Sequence, residues 1–137
     1  MPSHPREERP PDPPLPTPAE VDILAALWRL GPATVREVHE ALGKDCGYNT
    51  TLKQMLLMTE KGLLRRSERF RSHVYEPAAP PDRMQQRLAG DLMRRVFGGS
   101  AKALILGALG AQPASAGELA EIRRMIDELD HRKRRPR

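Results

Sequence analysis

The chain has one cysteine, few aromatic residues and no long apolar stretch, and each shortage excludes a class of protein. One cysteine, Cys46, among 137 residues excludes a framework of intramolecular disulfides. No apolar run approaches the ~18 residues that span a bilayer, and no signal peptide is recognisable. We therefore expect a cytoplasmic protein without membrane insertion. Fourteen prolines, 4% aromatic and 39% apolar residues indicate disordered ends around a modest core.

The sequence also lacks the constellations that carry catalysis or metal binding. Its histidines His4, His39, His73 and His131 are scattered, and none lies at metal-ligand spacing from Cys46. It contains no glycine-rich phosphate loop and no nucleophile elbow. These absences predict a non-enzyme without a metal or cofactor. Cys46 is interpreted as a small residue in a turn, with a redox or metal role as the alternative.

Positive charge is what the chain has in excess. A formal net charge of +5 and a pI of about 9.9 favour a polyanionic partner, either nucleic acid or an anionic membrane surface. Residues 1–16 form a proline-rich arm that we predict to be disordered, and residues 131–137 form a basic tail. Both ends are interpreted as solvated, with DNA contact through Arg6 and Arg9 as the alternative for the arm.

Two capping boxes predict the first two helices. Thr17 and Glu20 stand three residues apart with proline at the first helical position, and apolar residues then recur at helical spacing up to a Gly-Pro pair. Thr34 and Glu37 repeat the box for a second helix, which Gly43 ends. Residues 44–48 then lead to a third helix, and a short turn between the second and third helices is typical of a helix-turn-helix.

A third helix is predicted to end at Gly62, with Asn49 as its N-cap. Its inner face carries Thr51 or Leu52, then Met55 and Met58. Its outer face carries short polar side chains and a lysine, which are the donors and acceptors that read base edges in the major groove. The residues of this outer face are Asn49, Thr50, Lys53 and Gln54.

A basic hairpin follows the third helix. Leu63 and Leu64 open its first strand, and residues 72–76 return as the second. Four arginines stand within seven residues against the single acid Glu68, an excess that indicates phosphate contact or insertion in the minor groove. His73 is interpreted first as a strand residue, and Phe70 as an exposed aromatic at the turn. The arginines are Arg65, Arg66, Arg69 and Arg71.

Three helices and a hairpin predict a mainly α fold with a small β wing, a winged helix-turn-helix over residues 17–79. Residues 80–130 predict a helix broken at Gly98 and Gly99, an apolar segment over 103–109, and a last helix behind a third capping box at Ser115 and Glu118. Their apolar stripes have no large domain to cover them, so we infer a homodimer. The predicted dimerisation residues are Met84, Leu88, Leu92, Val96, Leu104, Leu119, Ile122, Ile126 and Leu129.

Four segments in this order resemble the penicillinase repressor family: TPAEVDILAALWRLGPATVREVHEAL, YNTTLKQMLLMTEKGLL, RSHVYEP and FGGS. The resemblance covers residues 17–129 and implies a dimeric winged-helix repressor that binds inverted-repeat operators of the TACA/TGTA type. It implies that Asn49, Thr50 and Lys53 lie on the recognition helix and Arg71 on the wing. The full set of expected DNA-binding residues is Thr34, Tyr48, Asn49, Thr50, Lys53, Gln54, Arg65, Arg66, Arg69, Arg71 and His73.

The resemblance also implies a membrane metalloprotease sensor as a partner, because relatives in antibiotic resistance are inactivated by cleavage in the C-terminal domain. Three positions depart from the family pattern. The cleaved bond of the relatives joins Asn to Phe, whereas Gly107 and Ala108 stand at the aligned position. The copper-responsive branch has a C-terminal cysteine motif, and this chain has only Cys46. Phe70 stands where many relatives have a glycine at the wing tip.

Two other functions are compatible with the same pattern. A protein-interaction module would use the winged helix to dock a partner, although such wings need an apolar or mixed surface rather than arginines. A non-specific architectural protein would bind DNA without preference for an inverted repeat. Salt-dependent DNA affinity separates the first of these from a repressor, and competition by scrambled DNA separates the second.

Overall fold

The computed structural model describes residues 12–43, 47–69 and 71–134. Residues 1–11 of the predicted arm, Cys46, Phe70 and the last three residues of the tail lie outside the described part. Within it the chain forms six helices and a two-stranded antiparallel sheet. The elements are α1 (Pro18–Leu30), α2 (Val35–Leu42), α3 (Tyr48–Lys61), β1 (Leu64–Arg69), β2 (Ser72–Pro77), α4 (Pro81–Val96), α5 (Ala101–Ala111) and α6 (Ala116–Arg134).

The first two predicted capping boxes are confirmed. At the start of α1, the Thr17 N–H donates to Glu20 Oε1 at 2.9 Å and the Glu20 N–H donates to Thr17 Oγ1 at 3.3 Å. Thr34 and Glu37 make the same pair of bonds before α2, at 3.0 and 3.2 Å. Gly43 ends α2 in the left-handed region with φ of 56°. Side chains thus satisfy amide groups that each helix start leaves without an internal partner.

The predicted N-cap of α3 was wrong. Gly47, with extended dihedrals, is the N-cap, and Asn49 lies inside the first turn. The N–H groups of Thr50 and Thr51 both donate to the carbonyl of Gly47, at 3.0 and 3.4 Å. Glycine is only slightly less common than asparagine at an N-cap. The prediction chose Asn49 for its polar side chain, although Gly47 suits the position almost as well. The predicted end at Gly62 is confirmed, with φ of 87°.

The hairpin has the predicted strands, and it is attached to the helices by a bridge that the sequence did not reveal. Its register pairs Leu64 with Pro77 and Arg69 with Ser72. Ala33, between α1 and α2, forms an isolated antiparallel bridge with Tyr75. The Ala33 N–H donates to the Tyr75 carbonyl at 3.0 Å, and the Tyr75 N–H donates to the Ala33 carbonyl at 2.8 Å. Tyr75 itself is 2% exposed, so the wing is fixed to the helical core.

The chain divides into two compact units, the first ending at Ala89 and the second beginning at Gly90. The sequence placed the boundary ten residues earlier, between 79 and 80. The difference arises because the first half of α4 packs on the winged helix. Met84 is 5% exposed within that core and Leu88 packs against it, so the first unit already covers much of both side chains. The fully buried side chains of the first unit include Ile23, Leu24, Leu27, Val38, Thr51, Met55 and Met58.

Residues 12–16, which we name the N-terminal strap, were predicted to belong to the disordered arm. Instead Pro16 is buried, and two arginines of α4 hold the strap. Arg83 forms an ion pair with Asp12 at 2.9 Å, and the Arg87 guanidinium donates to the carbonyl of Pro13 at 2.7 Å. Prolines already have restricted backbones, so ordering this segment costs less entropy than ordering most sequences.

The second unit is helical and open. Ser100 Oγ caps α5 by accepting from the Ala103 N–H at 3.0 Å. Ser115 Oγ accepts from the Glu118 N–H at 3.1 Å, which is one of the two bonds of the predicted third capping box. The apolar segment predicted over 103–109 is the helix α5, and α6 continues through four residues of the predicted tail. Within the described residues of this unit, no side chain is buried, and no described helix of the chain is long and apolar enough to cross a bilayer.

Candidate nucleic-acid interface

The outer face of α3 is exposed as the sequence predicted. Asn49, Thr50 and Lys53 are exposed, and Gln54 is half-buried. The opposite side of the helix carries Thr51, Met55 and Met58, each with no exposed area, together with the partly buried Leu52. Because these apolar contacts fix the rotation of α3 about its axis, amide, hydroxyl and ammonium groups share one surface.

A cluster between α2 and α3 sets the angle at which this surface is presented. His39 Nδ1 lies 3.0 Å from Thr51 Oγ1, and the His39 ring meets the Tyr48 ring edge-on, with 6.1 Å between centroids. The Arg36 guanidinium carbon lies 5.4 Å from the centre of the Tyr48 ring, within cation–π range. Tyr48, predicted to bind DNA, is 39% exposed at the edge of this cluster.

Sequence reasoning missed the roles of Arg36 and His39. His39 was classed only as a scattered histidine, because a contact across twelve residues leaves no mark in helical spacing. The sequence contains only a weak signal for these contacts. Arg36 and His39 are three residues apart and therefore lie on one face of α2. In the folded chain they contact the start of α3 through Tyr48 and Thr51.

The start of α2 lies beside the wing. Thr34 Oγ1 accepts from the Glu37 N–H at 3.2 Å. The backbone hydrogen bond from Thr34, then its side-chain bond and the charge of Arg69, lower the pKa of Glu37 below its usual value. The bridge between Tyr75 of β2 and Ala33, directly before Thr34, fixes the wing beside the start of α2.

The wing arginines lie on both faces of the hairpin. Because side chains alternate along a strand, Arg65 and Arg69 share one face, and Arg66 lies on the other. Cross-strand pairing puts Glu76 opposite Arg65, where the two form an ion pair at 3.4 Å. His73 pairs with Glu68 on the face of Arg66. The structure therefore brings two of the four predicted arginines to one face rather than all four.

Arg71 occupies the tip of the wing in an unusual conformation. Arg69 pairs with Ser72, so a two-residue connection joins the strands, and Arg71 within it has φ of 67°. This left-handed region costs a residue with a Cβ about 1 kcal/mol relative to glycine. The Arg71 side chain is exposed, so burial of this side chain does not offset the conformational cost.

The first turn of α3 is also electropositive. Its N-cap is a glycine, so no N-cap side chain occupies the amide groups of the first turn. Helix N-termini with open amides attract phosphate through these donors and through the helix dipole. Among the described residues, no group of three histidine, cysteine or acidic side chains is arranged to hold a metal ion. The surface is thus suited to a polyanion.

Comparison with known proteins gives one family. The sequence profile described as "Penicillinase repressor" matches residues 16–128. The chain is 24% identical over 118 residues to the penicillinase repressor of Bacillus licheniformis, covering 85% of this chain and 92% of that protein. It is 30% identical over 112 residues to the transcriptional regulator BlaI of Mycobacterium tuberculosis (strain H37Rv), covering 79% and 80%. The chain belongs to the penicillinase repressor family.

Proposed function

We propose that the protein is a homodimeric transcriptional repressor that binds inverted-repeat operator DNA through α3 and the wing. The observation that carries this proposal is the exposed outer face of α3, beside a wing with four arginines. Membership of a family whose named relatives are regulators of transcription confirms the predicted class and the prediction of a non-enzyme.

Base recognition is assigned to the first half of α3. Asn49 offers an amide that pairs in two-pronged fashion with adenine, Lys53 offers donors to guanine, and Thr50 offers a hydroxyl to either. Gln54 is half-buried and extends the set by one position. Each well-placed contact of this kind contributes about 1–3 kcal/mol of discrimination against the wrong base.

Phosphate binding is assigned to the wing, Thr34 and the first turn of α3. Arg69, close to α2, and Arg71, at the wing tip, are the arginines best placed to reach the backbone that flanks the groove. Arg65 shares its charge with Glu76 and contributes less. For a dimer that neutralises about eight phosphates, the slope of log affinity against log salt is about −7.

Dimerisation is assigned to the second unit because the part of the chain that the structure describes leaves its apolar side chains exposed or half-buried. Of the predicted interface residues, Leu92, Val96, Ile126 and Leu129 are 45–65% exposed, and three others are half-buried: Leu104, Leu119 and Ile122. The structure adds further exposed side chains that the sequence analysis left out: Ile105, Leu106 and Met125. Two copies place two recognition helices in successive major grooves, about 34 Å apart, and so occlude a promoter.

The family resemblance supports one further proposal: a membrane metalloprotease sensor triggers cleavage of the repressor and so releases it from DNA. The aligned bond, between Gly107 and Ala108, lies inside α5. A Cβ at Gly107 would approach the Phe97 ring to 3.0 Å, so this position is closely packed as well as helical. Coexpression with such a sensor, followed by mass measurement of the repressor, tests for cleavage at this bond. As a DNA-binding regulator, the protein would act in the cytoplasm.

The proposal is tested by fluorescence anisotropy of labelled DNA from upstream of the protein's own gene, at two salt concentrations. Scrambled DNA serves as competitor. We expect tight binding that weakens with salt and resists the competitor. Equal affinity for both DNAs would instead assign an architectural role, and absence of binding at either salt would assign a protein-interaction module.

A further inference from the structure

We propose that a pocket behind the wing binds a small carboxylate with an apolar body. This rear pocket lies in the first unit, away from the outer face of α3. Its walls come from the N-terminal strap, α1, the end of α3, the base of the wing and the first half of α4. Its volume is about 410 Å³, inside the range of about 300–1,000 Å³ typical of small-molecule sites.

The walls of the rear pocket are mostly apolar. They include Leu24 and Trp28 from α1, Leu63 before β1 and Met84 from α4. The pocket also touches Pro13 of the strap and Pro77 at the end of β2. Walls of this kind favour a ligand with an alkyl or aryl body, because they stabilise it by removing apolar area from water.

Cations of α3 and α4 select an anionic head group. Lys61 is already paired with the nearly buried Glu20 at 2.9 Å, whereas Arg87 donates to a neutral carbonyl at Pro13 and keeps its full charge. Arg83 holds the carboxylate of Asp12 at 2.9 Å. The bond to Asp12 therefore shows that the Arg83 guanidinium can bind a carboxylate at this pocket.

The ion pair of Arg83 with Asp12 is one that a ligand can replace. Its side chains are 45% and 51% exposed, and ion pairs with this exposure contribute about 0–1 kcal/mol. A carboxylate with an apolar body would make the same bond and add burial against the pocket walls. Displacement of Asp12 costs little free energy, because its carboxylate loses an exposed ion pair and becomes hydrated by water instead.

Trp28 gives a second and independent indication of a missing partner. Its indole N–H is buried, and it has no hydrogen-bond partner among the described residues. Buried donors are nearly always satisfied in native proteins, so an unpaired one indicates a partner that the described residues do not supply. The Trp28 side chain lines the rear pocket, but this N–H is itself closed off from the open space, so the arginines and the apolar walls define the site.

The ligand would lie against the segment that joins the two DNA-contacting elements. Lys61, Gly62 and Leu63 line the pocket and connect α3 to β1. This position makes the rear pocket a candidate effector site. Binding of the ligand itself does not depend on the proposed function, since the outer face of α3 takes no part in it, and it can be measured without DNA.

Trp28 is the only tryptophan of the chain, so its fluorescence reports on the rear pocket directly. The full chain is titrated with sodium octanoate, with 1-octanol as an uncharged control of equal length and butyrate as a short one. We expect a saturable change with octanoate and affinities about tenfold weaker for both controls, which corresponds to about 1.4 kcal/mol. Equal affinity for octanoate and octanol, or no saturable change, would overturn the proposal.

Three variants test which groups bind the carboxylate. Arg87→Ala and Arg83→Ala should each weaken octanoate binding about tenfold, a loss typical of a charge-assisted hydrogen bond. Asp12→Ala should strengthen it several-fold, because it removes the competing carboxylate. Arg95→Ala, elsewhere on α4 and exposed, is the matched control and should change nothing. Circular dichroism checks that each variant is folded, and Arg83→Lys replaces Arg83→Ala if that variant is not.

Unchanged affinity in Asp12→Ala, or a loss in Arg95→Ala as large as that in Arg87→Ala, would overturn the proposal. The first result would show that the strap does not compete for the site. The second would show that octanoate binds through general positive charge rather than in the rear pocket.

Discussion

The two units of this chain differ in how completely each covers its own apolar residues. The first unit encloses a core in which eight large side chains are less than 2% exposed. In the second unit, none of the described side chains is buried, and leucine, isoleucine and methionine side chains are up to 62% exposed. Both units are helical, so the difference lies in what their apolar faces meet rather than in secondary structure.

This difference shows that helical periodicity predicts an apolar stripe but does not tell whether the stripe is buried within one copy of the chain. The winged helix covers its apolar residues with three helices, the wing and the first half of α4. The second unit has apolar stripes as regular as these, and the described residues of one copy do not bury them. An exposed apolar surface of this extent is typical of an interface, so the two units should respond differently to substitution.

The largest effect is expected in the core of the first unit. Met55→Ala should lower the free energy of unfolding by about 2–5 kcal/mol, because it removes apolar contacts and leaves a cavity. Denaturant titration measures the loss, which should not depend on protein concentration. Met125→Ala, at a position 62% exposed in the second unit, is the control, and its effect should vary with concentration. A loss under 1 kcal/mol in Met55→Ala would contradict the described core.

The next effect is expected in self-association. Ile126→Asp places a charge on an apolar face that is 50% exposed in one copy and should weaken the dimer by about 2 kcal/mol or more, roughly 30-fold. Sedimentation equilibrium measures the dissociation constant. Glu121→Asp, on the same helix, serves as control. If Ile126→Asp dimerises as tightly as the unsubstituted chain, the interface lies elsewhere.

Base discrimination should change by a somewhat smaller amount. Lys53→Ala removes an exposed ammonium group from the outer face of α3 and should reduce the preference for operator over scrambled DNA by about 1–3 kcal/mol. Competition titrations measure this ratio, with Lys102→Ala on α5 as the control. An unchanged ratio would mean that the recognition helix contacts DNA through a different set of residues.

The partly buried ion pair of Lys61 with Glu20 should make the stability of the first unit sensitive to acid. Burial alone would raise the pKa of Glu20, but hydrogen bonds from Lys61 and Thr17 and the charge of Lys61 together lower it below the usual value of 4.5. Lys61→Met should therefore destabilise the protein by about 1–2 kcal/mol at pH 7. Because a lowered carboxylate pKa stabilises above 4.5, the difference should disappear as the pH falls through the folded-state pKa.

Unfolding of Lys61→Met and of the unsubstituted chain, followed at pH 7 and in acid, measures this difference. Lys102→Met, at an exposed position, is the control and should show no such dependence. A difference that stays constant from neutral to acid pH would show that Lys61 acts through packing of its stem rather than through Glu20.

The smallest effect is expected at the wing tip. Arg71→Ala and Arg71→Gly both remove one phosphate contact and should weaken DNA binding by similar amounts, under about 1 kcal/mol, and flatten the salt slope by about 0.9 per contact. They should differ in stability, because glycine relieves the positive φ and alanine does not. Anisotropy and thermal unfolding separate the two effects. Equal stability of both variants would mean that the turn rearranges.

Much of the first unit was predictable because its signals are local. The boxes at Thr17 and Thr34, and the glycine that ends α3, lie within a few residues of the groups they satisfy. The features that were missed connect distant residues. The bond between Lys61 and Glu20 spans 41 residues, and the Ala33 bridge to Tyr75 spans a similar distance, so neither leaves a pattern in the sequence.

The apolar stripe of α4 shows the same limit. The spacing of Met84 and Leu88 predicts an apolar face on α4, but spacing does not say what that face contacts, and here it packs against the core of the winged helix. The exposed face of α3 was predicted correctly, because Met55 and Met58 fix the buried side of the helix. The faces of the wing were not predicted, because strand alternation separates arginines that are neighbours in sequence.

Changing the spacing of the two operator half-sites tests most directly whether a dimer with two recognition helices reads DNA. The full chain is titrated against its operator and against the same DNA with about five base pairs inserted at the centre, which turns one half-site by about half a helical turn. The account predicts that affinity falls toward that for scrambled DNA, because both copies of α3 can no longer reach the major groove together. Affinity unchanged by the insertion would contradict it.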